Sequence, residues 1–251
     1  MERTLRTAVV AAAMAVCATG HADAQAEGVY RALTVQAAPG ELLELVDLYR
    51  EEQALLAGLG EEPPMWMRHS QGDIWDLLLL YPVADLSGFF DTARTRRRLQ
   101  AMTPGGRSGA ELQREIDART AWREEVFVRG PAVAEVREAW ADAGYFHVEM
   151  FEGLAGRRAD LVHEREMEND YLVRLGRKPN HIFTRIAGSS TDAFTVGYYR
   201  DLKAYANPPE ATPEEEEAAA VAAGFRGAAF IGAYLRELIL RHHDTLAVPI
   251  R

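Results

Sequence analysis

The chain has 251 residues, 48% of them hydrophobic and 26% charged, with a formal net charge of −10. The length and apolar content suit one large domain or two small ones with a buried core. The negative charge excludes a nucleic-acid partner, which needs a basic surface, and docking on anionic lipid.

The N-terminus reads as an export signal. Arg3 and Arg6 form a positive start, Thr7 to Thr19 is a short apolar run, and Ala22-Asp23-Ala24 is an A-x-A cleavage site. Residues 1–24 are therefore expected to be a signal peptide, with the mature chain beginning near Gln25 in the periplasm or outside the cell. The apolar run falls short of the ~20 residues of a membrane span, so no membrane partner is expected after cleavage. The single cysteine, Cys17, lies inside this segment. Val16 before it fits a lipidation motif poorly. Without Cys17, thiol catalysis, disulfides and thiolate metal sites are excluded.

The rest of the chain repeats itself. Shifted by 116 positions, Gly40 falls on Gly156, Leu45 on Leu161, Val46 on Val162, Glu52 on Glu168 and Leu56 on Leu172. Leu59-Gly60 falls on Leu175-Gly176, Pro63 on Pro179 and Gly72 on Gly188. Turn punctuation therefore recurs together with the apolar positions, the sign of a duplicated unit.

Each copy reads alike in chain order. An alternating strand comes first, Val29 to Gln36 and Tyr145 to Glu152. After a glycine turn comes an amphipathic helix, Glu41 to Gly58 and Arg157 to Leu175, stopped by Gly60 and Gly176. Two hairpin strands follow: Met65 to Ser70 with Trp75 to Tyr81, and His181 to Ile186 with Ala193 to Tyr199. Helical segments come next, Leu86 to Gln100 and Ala110 to Arg119 in the first copy and Thr212 to Arg241 in the second. Thr212-Pro213-Glu214-Glu215 has capping-box spacing, so the acidic run Glu214 to Glu217 reads as a solvated first turn. A last strand closes each copy, Glu125 to Val128 and Thr245 to Ile250.

The order β-α-β-β-α-β occurs twice, which makes an α+β protein of two ferredoxin-like repeats. The expected divisions are a first repeat over 25–130, a helical linker over 131–143 and a second repeat over 144–251. One face of each sheet is covered by its own helices and the other needs a partner, so the two sheets are expected to pack into one pseudo-symmetric barrel. In element order and repeat length the chain resembles the dimeric α/β-barrel superfamily, closest to its NIPSNAP-like and stress-responsive A/B-barrel groups in fused form. The resemblance implies a barrel lumen used as a ligand or active site. Members include cofactor-free monooxygenases, haem-binding enzymes and isomerases, so the fold does not choose the function.

Strand parity nominates the lumen residues. Val148 and Met150 are expected to pack on the helices, and His147 and Glu149 to point into the barrel, with Arg31 and Leu33 their counterparts in the first copy. On the next strand His181 and Arg185 share a face with Phe183, matching Met65, Met67 and His69. His147, Glu149 and His181 are then the candidate catalytic residues, a histidine base with an orienting carboxylate. Arg185, Arg31, His69 and His243 are the candidate ligand-binding residues. The bland alternative is a set of ordinary strand residues. Arg241-His242-His243-Asp244 reads either as a cluster at the barrel mouth or as a helix C-terminus meeting its dipole. A metal at His147, Glu149 and His181 has no recognised spacing, so no metal site is assigned, and no motif requires haem or another cofactor. His163 and Glu164 read as solvated, and Arg94, Arg96, Arg97 and Arg98 as an exposed, salt-bridged helix surface.

The expected function is an exported protein holding a small, partly apolar ligand in the lumen. The alternatives are a cofactor-free enzyme with a lumen histidine as base, and a structural or oligomeric protein whose lumen is filled. A lumen packed with Phe151, Phe183, Met65 and Met67 would remove the ligand readings.

Overall fold

The computed structural model describes residues 27–250. The signal peptide read over residues 1–24, with Cys17, lies outside the described residues.

The first half runs β1 (Gly28–Ala37), α1 (Leu42–Gly58), β2 (Met65–Gln71), β3 (Leu77–Pro82), α2 (Leu86–Phe89), α3 (Thr92–Gln100), α4 (Gly109–Ala118) and β4 (Thr120–Gly130). Helix α5 (Val133–Asp142) links it to β5 (Tyr145–Gly153), α6 (Arg158–Arg174), β6 (His181–Gly188), β7 (Ala193–Tyr199), α7 (Leu202–Ala206), α8 (Pro213–Ala222), α9 (Ile231–Arg236) and β8 (Ile239–Pro249). Helices α1 and α6 stop alike: Glu61 and Arg177 each donate a backbone N–H back to the carbonyl of Leu56 and Leu172, the closure that a following glycine permits. Helix α8 opens with the expected capping box, Thr212 against Glu215.

The eight strands form a closed antiparallel barrel in the order β1-β3-β2-β8-β5-β7-β6-β4. Each half contributes four neighbouring strands, and the halves join where β2 meets β8 and β4 meets β6. Gly72 and Gly188, one repeat apart, sit at these two seams with φ of +127° and +117°. A Cβ on Gly72 would lie 2.1 Å from the Asp244 carbonyl, and one on Gly188 2.6 Å from the Glu125 carbonyl. Only glycine satisfies both the backbone angle and the contact, which is why both copies keep it.

Where the element reading differs, packing overrides the local signal. The long helix expected over Thr212 to Arg241 breaks into α8, a 3-10 turn at Ala228–Phe230 and α9. The chain bends at Gly224 and Gly227, both with positive φ. Strands β4 and β8 are longer than expected because each pairs along both edges. Arg241 to Asp244 therefore lies within β8, not at a helix end.

The lumen is packed. Tyr30, Met65, Met67, Leu78, Leu80, Val126, Val128, Phe146, Val148, Phe183, Phe194 and Val196 form one buried cluster drawn from seven strands, with Ala247 from the eighth. Phe183 stacks on Phe194 with ring centroids 4.6 Å apart and meets Tyr30 edge-on. Helix α5 plugs one end through Val136 and Trp140, whose ring lies 4.7 Å from Phe146. Toward the other end, a void of about 20 Å³ lies among Ala32, Thr34, Val126 and Met150, room for a single water. An eight-stranded barrel is narrow enough for its own side chains to fill.

This overturns the expected facing of β5. Phe146 and Val148 point inward, and His147, Glu149 and Phe151 point outward beneath the helices, as do Arg31, Leu33 and Val35 on β1. The assumption that the apolar pair would seek the helices fails because the lumen is the drier side. The expected lumen residues Met65, Met67 and Phe183 do fill it, whereas Phe151 packs on Leu161, Leu235 and Leu238 outside it. A ligand in the lumen, and an enzyme whose base is a lumen histidine, are both displaced by this packing.

Candidate functional site

Polar groups gather instead in the layer between the barrel's outer face and the helices, once in each half. The two places correspond. Arg31 on β1 matches His147 on β5, and Glu52 on α1 matches Glu168 on α6. Glu125, paired with Leu33 across β4 and β1, matches Asp244, paired with Glu149 across β8 and β5.

In the second half, alternation puts His147 and Glu149 on one face of β5, and His242 and Asp244 on the adjoining face of β8. His147 Nε2 lies 3.3 Å from Asp244 Oδ1, and Asp244 Oδ2 lies 3.1 Å from His242 Nε2. The Thr195 hydroxyl donates to Glu149 at 3.2 Å. Helix α6 covers the group with Leu161, Arg165 and Glu168 at helical spacing. Arg165 is 3% exposed and Glu164 fully buried. The guanidinium holds Glu164 through two hydrogen bonds of 2.6 and 2.7 Å, also contacts Glu168, and lies 4.9 Å above the Phe151 ring. Glu164 is thus not solvated as expected: the Arg165 fork makes its burial tolerable. His163 does lie exposed.

These contacts set the protonation. Burial lifts the Glu164 carboxyl to about 6 against the opposing pull of Arg165, and burial also raises Glu168. Burial lowers the His147 imidazole, but the hydrogen bond to Asp244 and the charge of Glu149 raise it further, so its net direction is upward. Asp244 is lowered by its hydrogen bond to His147.

In the first half the corresponding layer is open. Arg31 pairs with Glu125 at 2.7 Å, and its guanidinium lies 5.3 Å above the Tyr81 ring. The Tyr81 hydroxyl donates to Glu52 at 2.7 Å, and burial pushes this phenol well above its ordinary value. Above them lies the α2–α3 arm, whose two helices bury no side chain. Two adjoining cavities of about 330 and 420 Å³ open under the arm and share Arg31, Phe89, Arg94 and Arg98. Leu55, Phe90, Leu99, Leu112 and Ile116 supply an apolar wall. Arg94 is committed, at 2.5 Å to Glu61 and across the Phe89 ring. Among the described residues Arg98 reaches only long ion pairs, 3.5 Å to Glu61 and 3.9 Å to Glu52. The arginine cluster thus divides, with Arg94 and Arg98 lining the cleft while Arg96 and Arg97 remain exposed.

The remaining expected residues scatter. His181 faces the plugged end of the lumen, 3.2 Å from Glu135 on α5 and 3.1 Å from the Tyr198 hydroxyl. Burial lowers its imidazole although Glu135 opposes this. Arg185 is tied to Asp192 and to the Ser189 carbonyl in the β6–β7 turn. His69 packs against Trp75, and His243 lies 3.5 Å from Asp73. The structure therefore joins His147 to Glu149 but leaves His181, Arg185, His69 and His243 apart from them. Arg31 is half a barrel away, in the equivalent layer. Sequence reasoning missed Arg98, Tyr81, Arg165 and the two helix glutamates. The recurrence of Glu52 at Glu168 was a usable signal, because a carboxylate repeats there within the register that repeats the apolar positions.

No protein-family model matches the chain, and no curated protein matches its sequence. Solved structures do match. An anthrone oxidase-like protein aligns over 90% of this chain and 92% of its own, with 9% identity and a TM-score of 0.59. The fold is that of the duplicated dimeric α/β barrels. A candidate monooxygenase from Fusobacterium nucleatum aligns over 89% and 93%, at 8% identity and a TM-score of 0.50. A chlorite dismutase variant from Candidatus Nitrospira defluvii reaches 14% identity over 88% and 92%, but its TM-score of 0.46 carries no argument. At these identities the likeness concerns the fold alone.

Haem, which the resemblance implies for some members, does not fit the open cleft. Among the described residues no histidine, cysteine or methionine lines it, and its buried phenol, Tyr81, is hydrogen-bonded to Glu52. The donor set supplies no free axial ligand.

Proposed function

We propose that this is an exported small-molecule-binding protein whose ligand lies in the sheet–helix cleft of the first half, not in the barrel. The pair of cavities sharing Arg31, Phe89, Arg94 and Arg98 carries this reading. Their size is in the range of small-ligand sites, as is an apolar wall with few convergent polar groups. The chemistry favours a partly apolar anion. Its body would lie on Phe89, Phe90 and Leu112, and its acceptor group would take the N–H donors that Arg98 holds only in long pairs. Export rests on the N-terminal pattern of Arg3, Arg6 and Ala22-Asp23-Ala24. Element order and repeat length are what support a NIPSNAP-like or stress-responsive kinship within this reading.

The test is isothermal titration with 2-naphthoate, an apolar anion of suitable size. Arg98→Leu is expected to weaken binding about tenfold, the effect of one charge-assisted hydrogen bond of ~1.4 kcal/mol. Leu112→Trp fills the wall and is expected to abolish it. Equal affinity in the parent and both variants, with melting temperatures unchanged, would place the ligand elsewhere and overturn the proposal.

A further inference from the structure

The second-half layer has a chemistry of its own, independent of the cleft. One imidazole and two carboxylates converge there: the ligand atoms of His147, Glu149 and Asp244 all lie within 4.8 Å of one another. The convergence is built by the sheet. His147 and Glu149 are two apart on β5, and Asp244 is the direct cross-strand partner of Glu149 on β8, so all three project from one side of two paired strands. Donors of a tetrahedral or octahedral site at ~2.1 Å from a metal lie about 3 to 3.5 Å apart, so small side-chain rotations complete the set.

Charge supplies a second argument. Glu149, Glu164 and Glu168 surround a single guanidinium, Arg165, and Asp244 adds a further negative charge beside Glu168. Glu164 takes two of its hydrogen bonds. Carboxylates gathered in a covered layer need compensating positive charge, and a divalent cation supplies it at the point where the three donors meet. Surroundings suit a held ion. His147 is 17% exposed and Glu149 13%, with the Thr195 hydroxyl orienting Glu149 and the Tyr205 ring 5.2 Å from the imidazole. Asp244 is 54% exposed and leaves a path in from solvent.

We propose that His147, Glu149 and Asp244 form a binding site for one divalent transition-metal ion, of the kind that accepts mixed nitrogen and oxygen donors. A nitrogen-plus-carboxylate set selects zinc, manganese or ferrous iron over the softer metals that want thiolate. With three protein donors the ion keeps an open position for water, and His242, hydrogen-bonded to Asp244, orients that carboxylate from outside the donor set.

The experiment uses the full chain, stripped with a chelator and titrated with zinc chloride by calorimetry and with cobalt(II) by visible absorbance. One zinc per chain is expected. Asp244→Asn, which keeps the shape of a half-exposed side chain, and His147→Gln are each expected to weaken binding at least about tenfold. His163→Gln, on the exposed side of α6, is expected to leave it unchanged. The cobalt spectrum is expected to show nitrogen and oxygen ligation. Absence of saturable uptake overturns the proposal. So does zinc affinity unchanged in both site variants, or a thiolate charge-transfer band, which would place the ion at Cys17.

Discussion

Replacing Phe183 with alanine separates a packed lumen from a ligand-holding one. The ring is fully buried, stacked 4.6 Å from Phe194, and 5.4 Å edge-on to Tyr30. Gly130 has no Cβ because one would lie 2.4 Å from this ring. Phe-to-Ala changes in well-packed cores cost about 3–5 kcal/mol. The upper part of that range is expected here, because the barrel wall is hydrogen-bonded all round and cannot collapse into the hole. Against a typical stability of ~5–15 kcal/mol this is a large share. For a chain of this size it corresponds to a drop of roughly 10–15 °C in melting temperature. Urea unfolding, with the midpoint and slope of parent and variant compared, measures it. The affinity for 2-naphthoate is expected to stay as it was. A loss below about 1.5 kcal/mol would mean that the ring is not tightly surrounded, and a loss of ligand binding without loss of stability would return the ligand to the lumen.

Two further outcomes test the second half. Arg165→Leu strands Glu164 without its fork, and breaking a buried pair from one side costs about 3–5 kcal/mol. Adding Glu164→Gln is expected to recover part of that loss by urea unfolding, and an additive double variant would show that the two residues do not interact. His181 sets a pH dependence. Glu135 from α5 and the Tyr198 hydroxyl from β7 face it, and burial keeps its folded-state value below that of the unfolded chain. The native state therefore binds fewer protons. The contribution is present above the ordinary imidazole value of ~6.5 and is lost as pH falls from there through the lower folded-state value. Stability of the parent is expected to decline more steeply from pH 7 to 5 than that of His181→Gln, and matching slopes would refute the assignment.

The architecture was legible because a duplicated chain states its turns twice. Gly72 and Gly188 recur with the same φ sign and meet the same kind of obstacle, so the sequence carried a backbone constraint directly. The facing of β5 was not legible from β5 alone. Phe146, Val148 and Met150 on one side, and His147, Glu149 and Phe151 on the other, each offer one side that can be buried. What decides is Arg165, eighteen residues beyond His147 on another element, which gives the polar side somewhere satisfied to go. The cleft was hidden for a related reason. The arginines of α3 look like a solvated run, and only the placement of the arm over β1 turns Arg94 and Arg98 inward while Arg96 and Arg97 stay in water.

Barrel closure through β2–β8 and β4–β6 has a consequence for how the halves can change. Either half taken alone would present two unpaired strand edges and a bare apolar face, the combination that drives strands to pair with another copy. Two such copies would meet about a two-fold axis, where every residue occurs twice and any substitution alters both layers together. Helix α5 joins the halves into one chain and removes that coupling. Arg31 can then stand where its partner layer has His147, and an open cleft can face a covered polar cluster across the same barrel, each free to change without the other.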